Sequence, residues 1–576
     1  MDSGIRSVPS NVTLEETERL RPATNIVPQN RRATGDRPGL HRLGILLFSL
    51  LLLVPNIANT SNPGQGDEVM HIATVHDSLA SGSWLYPQLN GFVNFYKPPL
   101  LFWLSMGLER TAQFLGVDVG LLGVRFISVL SSALAGLFLF ELLRSFGKPS
   151  RQALFWTIIY LSSLGVLKFG RLLMFEQIMA AHIMGVVYLF ALWMRKGGIL
   201  RLASVGLLVG LSYLYKGPLV PIYFLLFLSA WAIMRIYRTA PRFKPLGIDF
   251  SVLGSVSRAA LIIGVTAAVG IGLYGYYLLN HPRGEDLIAY FVVFENAAKF
   301  VDQNQSEWII LQGVLLYTLP WTLLLGAAIW TGLRKRRVLV TPGVQFGQLL
   351  LLSFAAVALF HFIPHRKADY YLLPLFGFLV ASAALLSGRT GNRRTQWLVA
   401  FIAVLAAAVD LYFGDYYRAA IPLLIGLFAV YVSLRHKDRG GRESEITLWK
   451  IAPGTLLAVA LPLTLFPVLF PPILNAKDQA LLGNARVCVI SENPWSALAY
   501  RAVIPSSDMM QRHPDLASEC DGATFLIEHD PAPIPANYHK VSGYPVWKDL
   551  PASQYLENLG HPSRLQRIRG IYAYNP

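Results

Sequence analysis

Cysteine and charged residues are scarce in this sequence of 576 residues. The only cysteines are Cys488 and Cys520, which are too few for the disulfide framework of a small secreted protein and are spaced like no zinc motif. Charged residues make up 15% of the chain, whereas soluble domains contain about 25%. Because 53% of the residues are hydrophobic, the composition excludes an ordinary array of soluble domains.

Apolar runs long enough to cross a bilayer recur between residues 43 and 474. In lipid every backbone N–H and C=O needs an internal partner, so such runs form helices or barrel strands. The runs are continuous rather than alternating, which favours helices. The sequence therefore predicts a polytopic α-helical membrane protein with about 13 transmembrane helices. The first is expected at 43–58, and the others at about 120–143, 152–168, 176–194, 200–215, 217–235, 258–280, 308–331, 345–363, 370–388, 396–413, 419–434 and 450–473.

The basic residues predict the orientation of these helices. The net charge of +16 is not gathered on one soluble segment, which argues against a nucleic-acid-binding protein. Lys and Arg instead cluster in alternate turns, for example at 144–151, 195–201 and 334–337. Cytoplasmic turns carry such an excess, so we expect a cytoplasmic N-terminus and an extracytoplasmic C-terminus in the inner (plasma) membrane.

Three regions follow from this topology. Residues 1–40 are polar and predict a disordered cytoplasmic tail. Residues 41–474 predict the transmembrane domain, whose first external loop covers 60–119 and contains an interfacial helix at 98–114. A crossing at 98–114 would turn every later basic cluster outward. Residues 475–576 predict a small extracytoplasmic α/β domain, in which Cys488 and Cys520 either pair or stay free and buried.

Ionisable side chains gather on the outer face of this topology. Asp67 and Glu68 follow the first helix, and Lys97 lies later in the same loop. Arg171 and Glu176 precede and open a later span. Ionisable groups at the membrane are candidates for function, so the sequence predicts a site at this face.

Several motifs in a fixed order resemble a known family. Ser-Gly-x-Trp-x-x-Pro begins at residue 81, Asn-Gly at 90, Lys-Pro-Pro at 97, Leu-Tyr-Lys-Gly-Pro at 214, Leu-Pro-Trp at 319 and Lys-Ala-Asp-Tyr-Tyr-Leu-Leu-Pro at 367. Over roughly 60–375 this set is similar to that of the undecaprenyl-phosphate aminoarabinose transferases and the protein O-mannosyltransferases of the GT-C superfamily. The resemblance implies a GT-C fold with an outer C-terminal domain.

The resemblance also implies a reaction. A sugar would move with inversion from a polyprenyl phosphate to an acceptor hydroxyl of lipid A, another glycolipid, an envelope glycan, or a protein serine or threonine. A carboxylate must orient or deprotonate that hydroxyl, and cations must hold the phosphate as negative charge builds on it. The implied catalytic residues are Asp67 as the base, Glu176 and Glu68. The implied substrate and phosphate ligands are Lys97, Arg171, Lys216, Lys367 and Tyr370.

The chain departs from the family pattern in the loop before the Pro-Trp motif, where Asn296 and Lys299 stand in place of the frequent histidine and arginine, and at two further positions. Tyr96 replaces the usual glutamate before Lys-Pro-Pro, which leaves aminoarabinose open as the donor sugar. Glu176 stands where aspartate is common. None of these departures touches the reaction class.

Other interpretations of these residues stay open at this point. Asp67 could only cap a helix, Glu68 could only interact with the helix dipole, and Lys97 could extend to lipid headgroups. No metal motif occurs, although a magnesium or manganese ion bound to Asp67 and Glu176 is a hypothesis. A transporter or flippase of lipid-linked sugars is the alternative function, but it predicts internal repeats and acids at mid-membrane. We find no convincing repeat, and the acids lie at the outer ends of the spans.

Overall fold

A computed structural model describes most of the chain. The described residues are 38–57, 66–94, 96–117, 120–239, 250–301, 305–334, 341–386, 393–412, 416–435, 450–466, 473–492, 496–504, 508–547 and 566–575. The predicted tail at 1–40 falls outside these ranges except for its last three residues, which begin the first helix.

Helices make up the membrane region. They are α1 (Pro38–Leu53), α2 (Gly66–Ser81), α3 (Leu100–Phe114), α4 (Leu121–Ser145), α5 (Ser150–Leu161), α6 (Leu164–Phe169), α7 (Phe175–Lys196), α8 (Ile199–Leu211), α9 (Tyr213–Lys216), α10 (Leu219–Thr239), α11 (Phe250–Leu279), α12 (Gly284–Ala289), α13 (Trp308–Tyr317), α14 (Thr322–Arg334), α15 (Pro342–Phe362), α16 (Phe376–Leu386), α17 (Arg393–Tyr412), α18 (Tyr416–Arg435) and α19 (Ala452–Ala460). A two-stranded hairpin, β1 (Gln88–Leu89) and β2 (Phe92–Val93), lies between α2 and α3.

The chain is a multi-span membrane protein, as the sequence predicts. Among the described residues, 8 helices are long and apolar enough to cross a bilayer, or up to 9 if α13 and α14, bent by 102°, form one span. The prediction of several membrane-spanning helices is therefore confirmed, whereas their predicted number of about 13 is not. Helix α3 exists, while its place in the membrane interface stays a prediction.

The predicted span at 152–168 is interrupted. Helix α5 ends at Leu161, and the side chains of Ser162 and Ser163 donate hydrogen bonds back to the carbonyls of Ile158 and Tyr160. The N–H of Leu164 instead donates to a carbonyl outside the helix, that of Leu319, at 2.8 Å. The short helix α6 that follows leads into the segment before Glu176.

Helix α13 packs closely against the segment before α16, which brings together Tyr317 and Asp369. A Cβ on Gly313 would lie 1.7 Å from the carbonyl oxygen of Asp369, so only glycine lets α13 lie against the segment before α16. This approach brings the Tyr317 hydroxyl within 2.8 Å of an Asp369 carboxylate oxygen.

A β-sheet forms the C-terminal region. Its elements are α20 (Ala476–Leu482), β3 (Arg486–Ile490), α21 (Ser496–Arg501), β4 (Asp508–Arg512), β5 (Phe525–Glu528), β6 (Tyr538–Trp547) and β7 (Gln566–Tyr574). The strand order is β4-β3-β5-β7-β6, with β3 parallel to β4 and β5, and β7 antiparallel to β5 and β6. Cys488 and Cys520 form a disulfide with Cα atoms 5.8 Å apart. The mixed α/β character expected here is confirmed, and the boundary at 475 stays a prediction.

Candidate functional site

Asp67 and Glu68 occupy the first turn of α2 but have different surroundings. Asp67 is exposed, whereas Glu68 is completely buried. Neighbouring residues on a helix point about 100° apart, since 3.6 residues complete one turn. One carboxylate therefore lies at the surface of the site, and the other lies in the protein interior.

The carboxylate of Glu68 is held by a fully buried arginine. Arg125 Nε lies 2.8 Å from Oε1, and its Nη2 lies 3.0 Å from Oε2. The Leu173 N–H also donates to Oε1 at 2.7 Å, while Arg125 Nη1 donates to the Ile57 carbonyl at 2.8 Å. Such two-pronged arginine–carboxylate pairs fix geometry as well as charge. Glu68 thus ties α2 to α4 and to the segment before Glu176.

His71 holds the same segment from one turn further along α2. Its Nδ1 lies 2.8 Å from the Leu173 carbonyl oxygen, and its ring meets Phe175 edge-on at 5.0 Å. Burial lowers the pKa of His71 to about 4, so the ring is neutral at physiological pH and Nδ1–H donates to that carbonyl. Both backbone groups of Leu173 are therefore bound by α2, which fixes the position of Asp67 relative to Glu176.

Glu176 lies in the first turn of α7 and is almost fully buried. Its Oε1 is 3.9 Å from Lys216 Nζ, and Lys216 also lies over the Phe175 ring at 4.8 Å. The charges of Asp67 and Lys97 act on Glu176 as well. The fold thus brings together Asp67, Lys97, Glu176 and Lys216, which the sequence places on one membrane face.

Tyr370 joins this group from the segment before α16. Its ring packs 5.3 Å from Phe169. The charges of Glu176 and Asp67 act on its hydroxyl, and a tyrosine has a pKa near 10. The hydroxyl therefore keeps its proton at physiological pH and can donate a hydrogen bond to an anion.

Three polar residues near the site were not among the sequence candidates. Lys168 Nζ lies 3.4 Å from the Tyr317 hydroxyl, which donates to Asp369 at 2.8 Å. The charge of Glu176 also reaches Lys168. Asp369 lies within the motif that begins at residue 367, and Lys168 precedes Arg171 by three residues, but their meeting depends on the close approach of α13 at Gly313. For His71, the one indication in the sequence is its position about one helical turn after Asp67.

Two predicted phosphate ligands have other contacts. Arg171 is buried, and its Nη1 donates to the Leu53 carbonyl at 3.0 Å. Lys367 is also buried, and its Nζ donates to the Gln305 carbonyl at 2.9 Å and lies 3.7 Å from Glu307. The contacts described for these two cations are with Leu53, Gln305 and Glu307 rather than with Glu176.

The described residues contain no group of three or more His, Cys, Asp or Glu side chains able to hold a metal ion. A divalent ion shared by Asp67 and Glu176 stays a hypothesis. The site as built offers two carboxylates with different surroundings, two lysines and a protonated phenol. Such a set can take a proton from a hydroxyl and can bind an anionic phosphate.

Comparisons with known proteins agree with the resemblance seen in the sequence. The family of dolichyl-phosphate-mannose-protein mannosyltransferases matches residues 96–247. An undecaprenyl phosphate-alpha-4-amino-4-deoxy-L-arabinose arabinosyl transferase of Pectobacterium atrosepticum is 28% identical over 381 residues, covering 63% of this chain and 63% of the relative. One from Edwardsiella ictaluri is 27% identical over 459 residues, covering 72% and 76%. The chain thus spans less than two thirds of the length of the first of these relatives.

A solved structure shows the fold. The crystal structure of ArnT from Cupriavidus metallidurans bound to undecaprenyl phosphate aligns with a TM-score of 0.64 at 14% identity, covering 93% of this chain and 97% of that one. The apo form aligns with a TM-score of 0.62. The polytopic GT-C fold with a β-containing C-terminal region is confirmed.

Proposed function

We propose that this chain of GT-C fold is an inverting glycosyltransferase that moves a sugar from a polyprenyl phosphate to an acceptor hydroxyl. The observation that carries the proposal is the meeting of an exposed carboxylate, Asp67, with Lys97, Lys216 and the second carboxylate Glu176. The relatives support it, because those cited are named as transferases that use undecaprenyl phosphate sugars. The same names favour a transferase over a flippase of lipid-linked sugars.

Asp67 is the proposed base. Its exposure leaves it accessible to an incoming hydroxyl, whereas Glu68 is enclosed by Arg125 and the Leu173 amide. General base catalysis by a positioned carboxylate contributes about 10²–10⁴-fold in rate. Glu68 then serves the reaction indirectly, since its bonds hold the helix that carries Asp67.

Cationic side chains of the site are proposed to stabilise the leaving phosphate. The phosphate leaves as a stable anion, so its departure needs charge stabilisation more than a proton. Lys97 and Lys216 supply positive charge, and the Tyr370 hydroxyl supplies a hydrogen-bond donor. Glu176 lies 3.9 Å from Lys216 and stays a predicted catalytic carboxylate. Arg171 and Lys367 stay predicted phosphate ligands, although the contacts described for them are with Leu53, Gln305 and Glu307.

The donor lipid and the acceptor follow from resemblance alone. A polyprenyl phosphate fits the names of the relatives, and the acceptor is a lipid A or other glycolipid, an envelope glycan, or a protein Ser/Thr. Tyr96 in place of the family glutamate leaves the donor sugar unassigned. We propose that the protein lies in the inner (plasma) membrane with its N-terminus in the cytoplasm, and that the site and the C-terminal domain lie outside the cytoplasm. The domain boundaries at 1–40, 41–474 and 475–576 belong to the same proposal.

A transfer assay tests the proposal directly. The purified protein in lipid vesicles receives a panel of polyprenyl-phosphate sugars together with membrane extract as the source of acceptors. Asp67→Asn should lower turnover by about 10²-fold or more with normal folding. The matched control is Asp515→Asn, which removes a carboxylate that is 86% exposed on the C-terminal domain. Equal turnover by Asp67→Asn and the control would remove Asp67 as the base, and no turnover with any donor would favour transport.

A further inference from the structure

The C-terminal domain contacts the helix that carries Asp67. The Arg501 guanidinium, at the end of α21, forms an ion pair with Asp77 near the end of α2. Its Nη1 also donates to Asn90 Oδ1 at 2.8 Å, and the Asn90 N–H donates to the other Asp77 oxygen at 2.7 Å. One arginine of the C-terminal domain thus binds both α2 and the β1–β2 turn.

An apolar contact lies beside this ion pair. Leu498, also on α21, is 3% exposed and packs with Val69, Met70 and Ala73 of α2. Tyr96 packs against the same cluster. Since Val69 is two residues from Asp67 and Tyr96 adjoins Lys97, the cluster that Leu498 joins lies close in sequence to both proposed functional groups.

The ion pair is shielded from water on one side. The side chain of Asp77 is 10% exposed and that of Arg501 is 29% exposed. Arg501 Nη2 binds Asp77 and Nη1 binds Asn90, so two nitrogens of one planar guanidinium fix its orientation against α2 and the β1–β2 turn. A surface pair screened by solvent would contribute little.

Helix α2 needs support at both ends. It has 16 residues, and isolated helices of about 12–15 residues are only marginally stable in water. Glu68 and His71 tie its first two turns to the membrane region through Leu173. Asp77 lies ten residues after Asp67, about 15 Å along the axis at 1.5 Å per residue, and there the support comes from Arg501.

We infer that the C-terminal domain is a positioning element of the active site, in which Arg501 and Leu498 hold α2 so that Asp67 faces the acceptor. This inference rests on the proposed transferase function. Arg501 and Leu498 are positioning residues, since their described contacts are with α2 and the neighbouring loop rather than with the site. Their loss should therefore lower turnover more than it weakens donor binding.

Charge exchange tests the inference. Arg501→Glu and Asp77→Arg should each lower kcat by roughly 10- to 100-fold, because a displacement of about 1 Å can cost about 10²-fold in rate. The donor KM should change little. The double variant restores the ion pair with opposite polarity and should recover most of kcat. Arg486→Glu is the matched control, since its pair with Asp508 is exposed on the same domain.

Hydrogen exchange separates this inference from the proposed function. The amides of α2 should exchange faster in each single variant than in the wild type, and the double variant should reverse this. If the wild type transfers no sugar, the proposed function fails, while the exchange rates still test the contact. Leu498→Ala provides a test without a change of charge and should also lower kcat and speed exchange in α2. Folded Arg501→Glu and Leu498→Ala proteins with wild-type kcat and exchange would overturn the inference.

Discussion

Replacing Glu68 by glutamine should distinguish a structural role of this carboxylate from a catalytic one. The variant keeps the size of the side chain and an oxygen that can accept the Leu173 N–H, but it removes the charge facing Arg125. Both partners of the pair are fully buried. Removing one partner of a buried ion pair costs about 3–5 kcal/mol, because the other charge is left uncompensated. This is a large fraction of the roughly 5–15 kcal/mol that stabilises a typical domain.

Thermal unfolding in detergent is the appropriate assay, with transfer measured on the fraction that stays folded. Glu68→Gln should unfold at a clearly lower temperature and give less folded protein. The control is Glu141→Gln, because Glu141 pairs with Arg42 at 2.7 Å and the two side chains are 22% and 51% exposed, unlike the buried Glu68 pair. Loss of an exposed pair costs only about 0.2–1 kcal/mol, so the control should unfold near the wild-type temperature.

Removing both charges gives a second check. In Glu68→Leu with Arg125→Met, the uncompensated charge disappears, and much of the ion-pair loss should be recovered. The Leu173 N–H and the Ile57 carbonyl then lose their partners, at about 1–3 kcal/mol each, so recovery should be incomplete. If Glu68→Gln unfolds like the wild type yet loses turnover by 10²-fold or more, the structural account is wrong and Glu68 acts in the chemistry.

Three further predictions concern charge, pH and topology. Lys216→Gln should lower kcat/KM by about 10²-fold, which is the usual effect of losing one hydrogen-bond donor to developing negative charge. Lys216→Arg keeps the positive charge and should retain part of the wild-type kcat/KM. If titrations with the donor give the same kcat/KM for Lys216→Gln and the wild type, Lys216 has no role in the reaction. The pKa of a histidine is near 6.5 in the unfolded chain, and burial lowers the pKa of His71 to about 4 in the folded protein. The unfolded chain therefore binds a proton at higher pH than the folded protein, and the free energy of unfolding should fall as the pH drops from about 6.5 to 4. Melting curves of His71→Gln should show a smaller fall across this window than those of the wild type, and an unchanged slope would contradict the assignment. In the Lys148→Cys variant, the new cysteine should react with a membrane-impermeant maleimide only after the membrane is permeabilised. The two native cysteines form a disulfide and should not react. Labelling of intact cells from outside would contradict the predicted topology.

The class of protein, and the region in which we propose the site, can be predicted from the sequence alone. Continuous apolar runs admit only helices in a bilayer, and ordered motifs in the first loop point to the GT-C fold, which the structural likeness confirms. Asp67, Lys97, Lys216 and Glu176 were expected on one face because topology alone puts them there. The number of spans does not follow from hydropathy alone, since the apolar run at 152–168 is divided between helices α5 and α6.

Only the tertiary structure decided what each side chain does. Asp67 and Glu68 are adjacent and chemically alike, yet Arg125, 57 residues away, encloses only the second. Arg501 meets Asp77 across 424 residues of sequence, and Lys367 turns to Gln305 rather than to the carboxylates. Helical periodicity and charge are local properties that a sequence displays directly. Which buried charge meets which partner depends on the packing of distant helices, because burial without a partner costs several kcal/mol and the fold therefore settles each pairing.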